Sequence, residues 1–287
     1  MAEVVRRPIP GAVKDLRVGF IGLGSQGAAM ARRICDAGYP LTLWARRPAS
    51  LQPFSDVAVQ VAATPAALGV ASDIVGICVV SDADVEEVVL GGEGVLAGMS
   101  EGGTLAVHST VHPETCLMLA DKAAEVGVGV VDAPVSGGGG AAAERRLLVM
   151  VGGAEADVER CRPVFETFGN PVTHLGPLGS GELAKLLNNL VFTVHVGAAL
   201  EAFSSAEQLG IEPSALADVL AHGSGGSRAQ ALMAATNFDL SGLRQARTLL
   251  QKDVNLVVDV MRSRGVPEPS HLLQMAQHTL QTLEDPT

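Results

Sequence analysis

Apolar positions fall into two regimes along the 287 residues. As far as Gly176, short and nearly continuous apolar runs alternate with stretches in which apolar residues recur every three or four positions. The runs read as strands buried on both faces and the stretches as helices. Strands are expected at "LRVGFIG" (16–22), "PLTLWA" (40–45), "DIVGICVV" (73–80), "GTLAVHST" (103–110), "VGVVDAPV" (128–135), "RLLVMVGG" (146–153) and "VTHLG" (172–176). Helices are expected at 25–38, closed by Gly38, and near 64–70, 83–90, 112–126 and 154–168. This alternation predicts an α/β fold, a doubly wound parallel sheet with helices on both faces. After Pro177 the strand signals stop. One long helix over 180–209 is followed by others at 213–222, 228–236, 242–264 and 268–284. The pattern divides the chain into a loose tail over 1–15 (Pro8, Pro10, Gly11), a sheet domain over 16–177 and an all-α domain over 178–287.

The first strand runs into "GFIGLGSQGAAM", where Gly22, Gly24 and Gly27 have the G-x-G-x-x-G spacing between a strand and a helix. In that context Gly22 permits a tight turn, Gly24 lets a pyrophosphate approach the backbone, and Gly27 lets the helix pack on the sheet. The helix start, with Leu23, Ser25 and Gln26, offers N–H groups to phosphate. The candidate cofactor is a dinucleotide, and the end of the second strand bears on which one. An acidic residue there would bond a ribose 2′-hydroxyl, but none occurs between Ala37 and Ser55, and the strand ends "LWARRP". Arg46 and Arg47 instead place guanidinium groups where a 2′-phosphate would lie, which favours NADP over NAD.

Two further stretches carry chemistry. In "DAPVSGGGGAAAERRLLVMVGG" (132–153), Ser136 and the glycines 137–140 form a flexible loop rich in backbone N–H, suited to a carboxylate. In "GSGELAKLLNNLVF" (179–192), Lys185 and Asn189 stand four apart on one helix face, continued by Phe192 and Val196. A lysine so placed can bond a reacting oxygen and transfer a proton. Taken alone, it also fits a lysine extending from a helix end with its stem on the core.

Composition narrows the classes. The net charge of −11 argues against nucleic acid or anionic membrane as partner. No uninterrupted apolar run approaches the ~20 residues of a membrane span, and the N-terminal stretch lacks a signal-peptide pattern. Cys35, Cys78, Cys116 and Cys161 are scattered without ligand spacing, so no metal site is expected and reduced thiols in the cytoplasm are. The seven histidines are equally dispersed; His195 is read as a satisfied interdomain histidine, with a place at the border of the cleft as the alternative, and Arg228 as a candidate for a second carboxylate.

In their order along the chain, "GFIGLGSQGAAMA", "DAPVSGG", "GSGELAKLLNN" and "QKDVNL" (251–256) resemble the β-hydroxyacid dehydrogenase family, the 3-hydroxyisobutyrate dehydrogenase-like branch of the 6-phosphogluconate dehydrogenase superfamily. The resemblance runs from Leu16 to the C-terminus. It implies an N-terminal Rossmann domain, a long interdomain helix and a helical domain that also mediates a homodimer or homotetramer. By position it implies Lys185 as the catalytic lysine and Asn189 as a substrate-holding asparagine. Ser136, Gly137 and Gly138 match the loop that binds the substrate carboxylate. Val79, Val80, Thr110 and Lys252 match residues beside the cofactor. The expected activity is hydride transfer between NADP(H) and a small β-hydroxyacid or its semialdehyde. An imine reductase-like enzyme and a non-catalytic nucleotide sensor are the alternatives. Departures from the family pattern occur at Gln26, Ala45 and His108. After "SGG" the family usually reads G-A-x-x-G-T-L, whereas Ala141 and Arg145 stand at the two glycine places here and Arg146 at the threonine.

Overall fold

The computed structural model describes residues 15–284; the expected N-terminal tail, apart from Asp15, lies outside them. Contacts divide the chain into two compact units, parting between Lys185 and Leu186. The first unit contains β1 (Val18–Ile21), α1 (Ser25–Asp36), β2 (Leu41–Trp44), β3 (Gln60–Val61), α2 (Pro65–Val70), β4 (Ile74–Ile77), α3 (Asp82–Leu90), β5 (Thr104–Val107), α4 (Pro113–Ala124), β6 (Gly129–Asp132), β7 (Val135–Ser136), α5 (Gly138–Ala143), β8 (Leu147–Gly152), α6 (Glu155–Phe165) and β9 (Gly169–Gly176). Helix α7 (Ser180–Gln208) runs on from it. The second unit continues with α8 (Pro213–His222), α9 (Arg228–Ala235), α10 (Ser241–Ser263) and α11 (Ser270–Thr282).

The strand order is β3-β2-β1-β4-β5-β6-β8-β7, with β9 on β8. From β3 to β6 every pair is parallel. The expected parallel sheet is present over these strands, and beyond β6 it gains antiparallel pairs, since β8 runs antiparallel to both β6 and β7. The stretch 128–135, expected as one strand, is two: β6 ends at Asp132 and β7 begins at Val135.

The continuous apolar runs have a simple cause. Successive side chains leave a strand on opposite faces. Phe20, Ile74, Ala106 and Val131 go to one core with Met30, Ile34, Phe165 and Phe168. Their neighbours Ile21, Val75, Leu105 and Val130 go to the other core with Leu68, Val88, Cys116 and Leu119. Helices cover both faces, so both side-chain sets must be apolar. In the second unit Val196, Ala199 and Phe203 of α7 share a core with Ala217, Met233 and Leu243. Helix α7 is long and apolar enough to cross a membrane by length and composition, with a mean hydropathy of 1.4 over its best window. Its first turns nevertheless carry the buried polar residues Glu182 and Lys185.

Candidate active site

The turn after β1 shows what each motif glycine does. Gly22 has φ +95°, a left-handed conformation, and a side chain there would strike the Cys78 carbonyl just beyond β4. A side chain at Gly27 would strike the carbonyl of Gly22, so α1 packs directly on the turn. Gly24 is different: a Cβ built on it meets nothing within 4 Å. Gly24 also precedes α1 without any side-chain cap. The first-turn N–H groups of α1 and its positive dipole end therefore stand beside a cradle that a side chain would narrow. That arrangement fits a diphosphate. The turn lies at the carboxyl ends of β1 and β4, where the strand order reverses, the usual ligand crevice of an open α/β sheet. Leu23 is buried beneath it, Ser25 is exposed and Gln26 half-buried.

Around that crevice Val79 donates its N–H to Ser109 Oγ at 2.8 Å, tying the loop after β4 to the loop after β5. Val80 is exposed and Thr110 partly buried. Arg46 and Arg47 follow β2 and are exposed. Arg46 is held by two carboxylates of α3, with Nη2 at 3.1 Å from Asp84 Oδ1 and 2.6 Å from Glu87 Oε2.

Ser136 closes β7, paired with Leu148 of β8. Gly137 (φ +135°) and Gly138 (φ +75°) then turn the chain through conformations open to glycine. The flexible loop expected over 137–140 is instead a turn leading into a helix, α5. A Cβ on Gly139 would lie 2.7 Å from the Ser25 carbonyl, so this helix sits against the cofactor turn.

Helix α5 ends in paired hydrogen bonds, from Arg145 N–H to Ala142 O (3.0 Å) and from Arg146 N–H to Ala141 O (2.7 Å). This is a Schellman cap, which calls for a left-handed residue at the place of Arg145, and Arg145 has φ +59°. The family's glycine at this position thus has a physical reason, and this chain retains the conformation without it. Arg145 Nη2 donates to the Glu166 carbonyl at 3.2 Å, and Arg146 pairs with Glu144. Both guanidiniums are engaged at the C-terminal end of α5.

The start of α7 is anchored from the sheet. Asp132, fully buried at the end of β6, accepts N–H bonds from Gly179 to Oδ1 and from Glu182 to Oδ2, each 2.7 Å. These donors would otherwise be orphans of the helix terminus. Burial pushes the Asp132 carboxyl above the usual range, opposed by the N–H donors that favour its anion. Glu182, also buried, accepts from the Val111 N–H at 3.3 Å. Lys185 lies three residues beyond Glu182 on the same helix face and is only 8% exposed. Its helical turn is therefore fixed at the carboxyl end of the sheet, beside the loop that carries Thr110.

Asn189 follows one turn later, half-buried. Its Nδ2 donates to Asp253 Oδ2 at 2.6 Å, and the second oxygen of Asp253 lies 3.5 Å from Lys252 Nζ. Two expected site residues thus share one carboxylate. His195 and Arg228 are exposed. No group of three or more His, Cys, Asp and Glu that could hold a metal occurs among the described residues. The reading by motif overlooked Asp132, Glu182, Asp253, Asp84 and Glu87. Asp132 stood within "DAPVSGG" and Asp253 within "QKDVNL", where a buried acid amid apolar residues was the available signal.

Comparison with known proteins agrees with this geometry. Residues 17–176 match the NAD-binding domain of 6-phosphogluconate dehydrogenase, and residues 179–285 the NAD-binding domain of NADP-dependent 3-hydroxyisobutyrate dehydrogenase. The chain is 31% identical over 260 residues to 2-(hydroxymethyl)glutarate dehydrogenase of Eubacterium barkeri, covering 89% of this chain and 86% of that one. It is 32% identical over 269 residues to L-threonate dehydrogenase of Cupriavidus necator, covering 92% and 88%. Among solved structures, 3-hydroxyisobutyrate dehydrogenase of Mycobacterium tuberculosis with L-serine superposes with a TM-score of 0.80 at 27% identity, over 94% of this chain and 92% of that one. With its glycine turn at the reversal of strand order and both domains matched from end to end, the chain belongs to the 3-hydroxyisobutyrate dehydrogenase-like β-hydroxyacid dehydrogenases, a family of NAD(P)-dependent oxidoreductases.

Proposed function

We propose that the protein interconverts a small β-hydroxyacid and its semialdehyde or oxo form with NADP(H), Lys185 acting as general acid and base. The observation that carries this reading is the buried Lys185 on a helix start held by Asp132 and Glu182. When bound, the nicotinamide supplies or accepts hydride. The turn of Gly22, Gly24 and Gly27 and the first turn of α1 hold the diphosphate. Arg46 and Arg47 receive the 2′-phosphate. The backbone around Ser136, Gly137 and Gly138 binds the substrate carboxylate, which orients the reacting carbon. In reduction the Lys185 ammonium gives a proton to the carbonyl oxygen, and in oxidation its neutral amine takes the hydroxyl proton. Asn189, oriented by Asp253, holds the substrate oxygen or the lysine in line.

The test is a steady-state screen of semialdehydes and of 3-hydroxy acids, run in parallel with NADPH and NADH, or NADP and NAD for the hydroxy acids. Turnover of a carboxylate-bearing substrate, faster with the phosphorylated cofactor, is expected. Turnover confined to cyclic imines, or tight nucleotide binding without turnover, would contradict the reading.

A further inference from the structure

The adenosine end of the cofactor site carries more negative charge than its motif suggests. Arg46 reaches away from β2 to two carboxylates on α3, 2.6 Å from Glu87 and 3.1 Å from Asp84. Asp84 is not a chance neighbour. Ser81 caps α3, accepting the Asp84 N–H at 3.2 Å, while its hydroxyl donates to Asp84 Oδ2 at 2.7 Å. These bonds leave Oδ1 turned to Arg46. Glu87 stands one turn further along the same face and is more exposed. Arg46, the first of the two cations after β2, thus faces two anions from the helix after β4, which also flanks the crevice.

We propose that Glu87, with Asp84, sets the preference between phosphorylated and unphosphorylated cofactor by competing with the 2′-phosphate for Arg46. The inference rests on the reading of Arg46 as a 2′-phosphate ligand. A phosphate carrying about two negative charges must displace Glu87 from the guanidinium or lie beside it, and either weakens binding. A 2′-hydroxyl meets no such competition and can donate to a carboxylate. The acidic residue absent from the end of β2 is thereby replaced in part by acids arriving from α3. The consequence is a smaller discrimination between NADPH and NADH than two arginines alone would give.

The experiment measures dissociation constants for NADPH, NADH and adenosine 2′,5′-bisphosphate by calorimetry on the full chain, as wild type, Glu87→Gln and Arg46→Ala. Glu87→Gln keeps the side-chain shape and should tighten NADPH and the bisphosphate by about three- to tenfold, with NADH unchanged or slightly weakened. The gain should shrink as salt is raised. Asp84→Asn should act in the same direction. A Glu87→Gln protein whose NADPH to NADH ratio equals that of the wild type overturns the proposal, as does an equal change for both cofactors. Arg46→Ala separates the two levels. If it weakens NADPH selectively while Glu87→Gln does nothing, only the competition is wrong. If Arg46→Ala leaves NADPH binding intact, the 2′-phosphate reading falls, and the competition with it.

Discussion

His108 makes the N-terminal unit sensitive to acid in a way that can be calculated. Its ring follows β5 and is buried among Phe20, Phe165 and Phe168, with centroids at 6.0, 5.3 and 5.6 Å. Nδ1 lies 2.8 Å from the Ala133 carbonyl. A carbonyl only accepts, so Nδ1 carries the proton of a neutral ring. Burial pushes the imidazole down from 6.5 to about 4, against the smaller upward pull of the Ala133 bond. The unfolded chain therefore binds the extra proton throughout the window between those values. Stability from this group is complete only well above pH 6.5 and is lost as pH falls through 6.5 toward 4. Linkage gives almost no loss at pH 7, about 2 kcal/mol at pH 5, and on the order of 3 kcal/mol well below pH 4.

His108→Gln keeps a donor for Ala133 and removes the titration. Urea unfolding followed by Trp44, the single tryptophan and a β2 residue, reports the unit concerned. Between pH 7 and pH 5 the wild type should lose about 2 kcal/mol more stability than the variant, since the other titrating groups are common to both. Equal losses, or a His108 proton resonance titrating near pH 6.5, would refute the argument.

Three further outcomes follow from the site. Gly24→Ala should leave the melting temperature unchanged, because its Cβ has room, yet weaken NADPH at least tenfold; Gly27→Ala should lower stability by about 2 kcal/mol or more, because its Cβ meets the Gly22 carbonyl. Calorimetry and thermal melts distinguish the two. Asp132→Ala leaves the Gly179 and Glu182 N–H groups buried without their acceptor, and denaturant titration should show a loss of about 2–6 kcal/mol, with Asp132→Asn in between. At Arg145, where φ is +59°, the Gly variant should be about 1 kcal/mol more stable than the Ala variant by the same titration.

How much could be read beforehand depended on the range of the interaction. The parallel strands were legible because each is buried on both faces, and the major helices because their apolar spacing is local. Gly22, Gly24 and Gly27 were legible because the turn they build lies within a few residues. Helix α5 was not, since "GGGGAAAERR" has no apolar periodicity and its helix is fixed by packing on Ser25. The two-residue strands β3 and β7 are too short to show a pattern. The carboxylates that organise the site act across long separations. Asp132 accepts the Glu182 N–H from 50 residues away, Glu87 reaches Arg46 from 41, and Asp253 reaches Asn189 from 64. Nothing local in the sequence marks such pairs. The motifs showed where a lysine, a glycine turn and an arginine stand, and the acids that hold or oppose them come from a strand end and from helices far along the chain.

The central claim is that the Lys185 amine transfers the proton that accompanies hydride. Its most direct test compares wild type and Lys185→Ala for turnover of the best semialdehyde and for NADPH binding in the same preparation. The account predicts kcat/KM lower by about 10²–10⁴-fold, a loss of roughly 3–5 kcal/mol of transition-state stabilisation, with the NADPH dissociation constant unchanged. Near wild-type turnover by the alanine variant, at equal NADPH affinity, would contradict it.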